Sequence, residues 1–256
     1  MNIDKILHVS THAGKILLES GAEIYRVEET IVRICKSFDV DFADSYVTPT
    51  GIIVSIYDKN KNTKTLVTRV TNRSNNLQKI HLVNNLSRNL STQKYTISEV
   101  ENELKLIDQS KTYSNFTTLI CSGLGAACLT ILLGAGLRDS IACFFIGLAI
   151  RGMAIIADKL LINSFFINSI GGAIAASGAI LFYKLGLVLN VDHVIIGSIM
   201  LLVPGLTITN AIRDTIAGDL LSGLTRSVEA IFVAISIAIG TGVVMSISLK
   251  YLGGVF

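Results

Sequence analysis

The stretch NFTTLICSGLGAACLTILLGAGLRDSIACFFIGLAIRGMAIIA, residues 115–157, carries three charges in 43 residues. About 20 predominantly apolar residues cross the hydrocarbon as one helix. The stretch is therefore long enough for two spans, 115–137 and 140–158, joined tightly at Arg138-Asp139. Further uncharged runs toward the C-terminus predict spans over 162–184, 193–212 and 229–249. Gly123/Ala127 and Gly171/Ala175 repeat at four-residue spacing. Small residues at that interval let helix backbones approach closely in lipid. The expected architecture is a membrane protein with a five-helix α-helical transmembrane bundle over 115–256.

Residues 1–114 differ sharply. They hold 28 of the 41 charged side chains and only three of the 21 glycines. The chain-wide figures, 50% hydrophobic and a mean hydropathy of +0.59, describe neither half. That much apolar surface excludes a disordered or fibrous chain. The net charge of +3 gives no basic surface for nucleic acid. The N-terminus has no apolar segment of signal-peptide length, and Lys94, Lys105 and Lys111 precede the first span. Both features predict a cytoplasmic N-terminal domain, although the short loops carry no charge bias. Five spans would then leave the C-terminus outside.

Within 1–114 the pattern is that of a small α+β domain. Residues 2–19 have helical apolar spacing, and Ser20-Gly-Ala-Glu23 reads as a break with a capping box. A second helix follows over about 22–38. Residues 40–47, 52–57 and 65–70 read as strands, with a turn at 58–62 and Thr48-Pro49-Thr50-Gly51 as another. A helix over 77–90 and another opening at a Ser98/Glu101 capping box complete the domain.

Several residues are placed to do chemistry. Glu23, Arg26, Glu29 and Arg33 lie on one face of the second helix. They form either a solvated ion-pair ladder or a docking and gating surface. Val203-Pro204-Gly205 interrupts the 193–212 run, because proline removes a backbone hydrogen bond and glycine loosens the next turn. The interruption is either a simple kink or a broken helix of the kind where carriers bind substrate. Asn210, Arg213 and Asp214 follow it, with Asn210 and Asp214 sharing a face. Arg151 falls deep in the second span, where a charge faces a partner or pathway or snorkels to the interface. Arg226 and Glu229 stand at the start of the last span. These residues divide into a candidate substrate set (Arg151, Pro204, Gly205, Asn210, Arg213, Asp214) and a candidate gating or domain-contact set. His8 and His12 lack a third ligand. The four cysteines lack disulfide or zinc spacing and read as packing residues. No metal, cofactor or catalytic site is expected.

SGAEIYRVEETIVRIC (20–35) followed by VTPTGIIVSI (47–56), and VPGLTITNAIRDTIAGDLLSGLTRSVEA (203–230), resemble the paired motifs of the threonine/serine exporter family. The resemblance covers nearly the whole chain. It carries over to Glu23, Arg26, Glu28, Pro49, Pro204, Asn210, Arg213, Asp214, Asp219, Arg226 and Glu229. The gating set is therefore Glu23, Arg26, Glu28, Asp219, Arg226 and Glu229. The resemblance implies ion-driven export of small carboxylates, such as succinate-like dicarboxylates, or of hydroxy amino acids across the bacterial inner membrane. A chain with five spans resembles the larger component of the family's split form, in which a second, smaller integral-membrane subunit supplies the other helices. The expected partners are that subunit, a small anionic substrate and the lipid bilayer. The alternatives are a membrane-anchored hydrolase whose soluble domain is catalytic, and a membrane sensor or scaffold. The soluble half has no recognisable nucleophile–base–acid set, so the expected class is a transporter rather than an enzyme.

Overall fold

A computed structural model describes residues 3–57, 62–90, 95–110 and 113–252. The first elements are helices α1 (Ile3–Glu19) and α2 (Ile24–Ser37), strands β1 (Ala43–Thr48), β2 (Gly51–Tyr57) and β3 (Thr63–Arg69), and helices α3 (Leu77–Asn89) and α4 (Ile97–Asp108). Then come α5 (Asn115–Leu132), α6 (Leu137–Lys159), α7 (Ser164–Lys184), α8 (Val191–Ile199), α9 (Gly205–Ala217) and α10 (Leu220–Leu252). The chain divides into two compact units. One is Met1–Lys111 with Leu206–Val228; the other is Thr112–Gly205 with Glu229–Phe256.

The first unit is built around α1, whose Ile6, Ile16, Leu17 and Leu18 are each at most 1% exposed. The sheet is an antiparallel meander in the order β1-β2-β3, with Val47 opposite Ile52 and Val54 opposite Leu66. Its alternation buries Val47, Ile52, Val54 and Ile56 on one face, as a half-solvated antiparallel sheet requires. The other face carries the cross-strand row Tyr46–Ile53–Val67, all exposed. Pro49 and Thr50 form the two-residue loop between β1 and β2, with Thr48 opposite Gly51. The expected turn at 58–62 lies mostly outside the described residues.

Two capping assignments are corrected. Thr96, not Ser98, caps α4: its side chain accepts from the Glu99 amide, and Glu99 accepts from the Thr96 amide. Both sets have the same S/T-x-x-E spacing, so the motif alone cannot choose between them. Glu101 instead accepts from Lys105 and pairs with Lys5. At α2 the N-cap is Glu23, with no side-chain cap of its own. The preceding turn needs Gly21, whose φ of +87° is costly for any residue with a Cβ.

In the second unit, α5, α6, α7 and α10 are each long and apolar enough to cross a membrane. The turn between α5 and α6 is Leu133–Gly136. Arg138 and Asp139 lie inside the first turn of α6 instead of joining the helices. The buried Asp139 carboxylate accepts from the Leu189 amide at 2.8 Å. The run expected as one span over 193–212 is two short helices, α8 and α9, parted around Pro204. At 1.5 Å per residue they are about 13 and 20 Å long, short of the roughly 30 Å hydrocarbon core. Among the described residues, four helices are therefore long and apolar enough to span, where five were expected. Proline has no amide to donate and its ring clashes with the turn before it.

Where α7 and α10 cross, a methyl built on Gly240 would sit 1.8 Å from the Ser169 carbonyl oxygen, and one on Gly172 would sit 2.6 Å from that of Ile237. Backbone is on the far side in both cases, so no rotamer change can make room. Gly240→Val is expected to cost about 1–3 kcal/mol, seen as a lower thermal midpoint of the purified protein in detergent.

Candidate functional site

The turn between α1 and α2 leaves unpaired backbone groups: carbonyls where α1 ends and amides where α2 begins. Residues from α9 and the start of α10, 189 to 204 positions later, satisfy them. Asn210 Nδ2 donates to the Gly21 carbonyl at 2.9 Å, and Arg226 Nη2 donates to that of Ala22 at 2.8 Å. The Ile24 amide donates to Asp214 Oδ1 at 3.1 Å. Asp214 thus occupies the capping role that the local sequence assigned to Ser20, and its charge sits at the positive end of the α2 dipole. Oδ2 of the same carboxylate lies 3.1 Å from Arg226 Nε. Asp214 is fully buried and Arg226 is 5% exposed, so this pair is shielded from salt and water.

Glu23, 7% exposed, closes the clasp from the other side. Its Oε1 accepts from Arg213 Nη1 at 2.6 Å and its Oε2 pairs with Arg26 Nε at 3.0 Å. The ion-pair ladder expected along α2 is therefore only partly a solvated face. Glu29 and Arg33 pair with each other, while Glu23 is shared between its own helix and α9. Six of the residues carried by the resemblance (Glu23, Arg26, Asn210, Arg213, Asp214 and Arg226) meet here. The sequence reading assigned them to two different roles.

Glu28 accepts from the Val47 amide at 2.9 Å. Burial pushes its carboxyl above the ordinary glutamate value; the Val47 bond opposes this, and the negative charges of Asp219 and Asp44 add to it. A raised carboxyl stabilises the fold at low pH and loses that contribution as pH rises through its folded-state value. Glu28→Gln keeps an acceptor for Val47 and sheds the charge. It is expected to match the wild type in acid and to exceed it in thermal midpoint at neutral pH.

In the other unit, Arg151 on α6 lines a cavity of about 420 Å3 with Thr118, Cys121 and Ser122 of α5, Ile150 and Ala154 of α6, and Leu201 and Leu202. The last two belong to the non-helical stretch before Pro204. No carboxylate lies within ion-pair distance of Arg151 among the described residues, and none lines the cavity. The sequence reading placed Arg151 at depth but missed Thr118 and Ser122. Their four-residue spacing within an apolar helix was the available signal. Arg151 and the Asn210–Asp214 group fall in different units. Glu229 begins the second unit's part of α10. His12 lies 3.6 Å from Asp108, and no cluster able to hold a metal occurs among the described residues.

Residues 8–248 match the model of the ThrE family of threonine/serine exporters. The chain is 23% identical over 250 residues to a threonine/serine exporter of Corynebacterium glutamicum; the match covers 95% of this chain but 51% of that protein. It therefore spans about half the length of that relative. It is 25% identical to a Klebsiella aerogenes protein named "Probable succinate transporter subunit YjjP", covering 93% of this chain and 91% of that one. The Escherichia coli protein of the same name is 24% identical, covering 97% and 96%. No solved structure matches the chain.

Proposed function

Because the chain belongs to the threonine/serine exporter family, and is a multi-pass membrane protein with four full-length apolar helices among the described residues, we propose that it is one subunit of a secondary exporter of small carboxylates or hydroxy amino acids. A second, smaller membrane subunit completes it, in keeping with the word "subunit" in two relatives' names. The N-terminal domain faces the cytoplasm of a bacterial cell, and the transporter lies in the inner membrane.

The five passages of this proposal are α5, α6, α7, the run of α8 with the non-helical stretch that ends at Pro204, and α10, the fourth of them short and broken.

One observation carries the substrate site: the broken passage lines the cavity that holds Arg151. Non-helical backbone at membrane depth is tolerated where it is enclosed by protein or borders water. A guanidinium there, with no carboxylate partner among the described residues, is an anchor for a substrate carboxylate. Pro204 and Gly205 form the break itself. Asn210, Arg213 and Asp214 hold α9 to the α1–α2 turn, and they join Glu23, Arg26, Glu28, Asp219, Arg226 and Glu229 in a gating role.

Flux from liposomes tests this. The chain is reconstituted alone and with a smaller membrane protein of the proposed partner type, and the vesicles are loaded with succinate, threonine or serine. Gradient-driven efflux of at least one of these, requiring both proteins, is expected. Absence of efflux for all three in the paired vesicles would falsify the proposal.

A further inference from the structure

We propose that Ser122, with Thr118 one turn before it, forms a second subsite in the Arg151 cavity. This hydroxyl subsite selects carboxylates whose far end can hydrogen-bond over carboxylates with an apolar tail. The inference rests on Arg151 as the carboxylate anchor and adds what the opposite wall recognises.

Hydroxyls in an apolar helix ordinarily donate to a carbonyl three or four residues earlier, which settles their polarity within the helix. This chain does so repeatedly: Thr130 donates to Ala126, Ser177 to Ala173 and Thr241 to Ile237. Thr118 likewise donates to Asn115 at 3.0 Å, leaving only its lone pairs for a ligand. Ser122 departs from the pattern. It is half-buried on α5, lines the cavity, and makes no hydrogen bond among the described residues. Residues four apart stand about 5–6 Å from each other on one helix face, so the two oxygens form a short polar strip. Leu201 and Leu202 give the cavity apolar wall. A short carboxylate held at Arg151 can therefore meet a free hydroxyl, able to donate and accept, within an otherwise apolar lining. A second carboxylate or a hydroxyl on the ligand satisfies Ser122, whereas a methyl leaves it unpaired.

Cys121 reports occupancy without transport. It is exposed and lines the same cavity, while Cys35 and Cys143 are buried. In the full-length Cys128→Ala protein in lipid nanodiscs, N-ethylmaleimide modification of Cys121 is followed by mass spectrometry. Succinate, hydroxybutyrate and butyrate are titrated in turn. Succinate and hydroxybutyrate are expected to protect at about tenfold lower concentration than butyrate, about the worth of one hydrogen bond. Ser122→Ala should make the three equal, and Ser122→Thr should restore the preference. The subsite is overturned if butyrate protects as well as succinate, or if Ser122→Ala keeps the preference. If Arg151→Gln leaves all three protecting while Ser122 still sets their order, the anchor reading fails and the hydroxyl subsite stands. Absence of protection by any of the three overturns both.

Discussion

The Arg151→Gln protein is expected to reach the membrane at wild-type abundance and to export at about one-hundredth of the wild-type rate or less. Losing one partner of a hydrogen-bonded charge pair costs about 2–5 kcal/mol once substrate closes over it, and each 1.4 kcal/mol is a factor of ten. The loss falls on substrate and not on folding, because no carboxylate among the described residues pairs with Arg151 and none is orphaned by its removal. Glutamine also fills much of the same volume. Arg151→Lys keeps the charge but loses the planar fork that holds a carboxylate at two points, so partial export is expected. Efflux from loaded cells, normalised to the amount of protein in the membrane, measures all three. Wild-type efflux from Arg151→Gln would remove this residue from the transport route.

Asp214→Ala should weaken the protein itself. It strands the Arg226 guanidinium, 5% exposed, and takes the acceptor from the Ile24 amide at the head of α2. Breaking one side of a buried pair costs about 3–5 kcal/mol, a large share of the stability of a domain. The expected result is a thermal midpoint many degrees lower and rapid proteolysis near the α1–α2 turn. Asp214→Asn separates the two roles, since its amide oxygen still accepts from Ile24 while its charge is gone. It should retain more stability than Asp214→Ala yet export poorly, because α9 is no longer held firmly. In the double variant Asp214→Asn/Arg226→Gln both charges leave together, and much of the stability lost in either single variant should return. Additive losses in the double variant would show that the two residues act independently.

How far each site was legible in the chain follows from the range of the interactions that make it. The membrane helices were readable because span composition is a local property: 18–33 residues of apolar sequence form a helix wherever lipid surrounds them. The sheet was readable from alternation, and Val47, Ile52, Val54 and Ile56 fall on one face as the two-residue period requires. The interruption at Pro204 was visible as either a kink or a broken helix within one run, and the run parts into two helices of nine and 13 residues.

The capping of α2 was misread for the opposite reason. Ser20 and Glu23 have capping-box spacing, and a local rule can weigh only neighbours in sequence. In the folded chain Glu23 is drawn to Arg213 and Arg26, and the α2 amide is taken by Asp214. Those partners outcompete the local motif because they are charged and the site is shielded, which strengthens each contact. The Ser122 subsite was hidden in another way. One serine in an apolar helix looks like any other until the carbonyl it would bond is checked, and only the conformation of its hydroxyl tells it from Thr130 or Ser177.

By itself the sequence determined the class of the protein, because hydropathy, helical period and strand alternation act over a few residues and need no fold to be read. It also brought forward Glu23, Arg26, Asn210, Arg213, Asp214 and Arg226, through two motifs that lie more than 140 residues apart. The tertiary structure alone decided which of them meet. It sent Asp214, Arg213, Asn210 and Arg226 to the turn between α1 and α2, and left Arg151 to a separate cavity walled by Ser122 and the broken passage. The physical reason is that a buried charge or an open helix end must find a partner somewhere. Nothing in the linear order of the chain says how far away that partner stands.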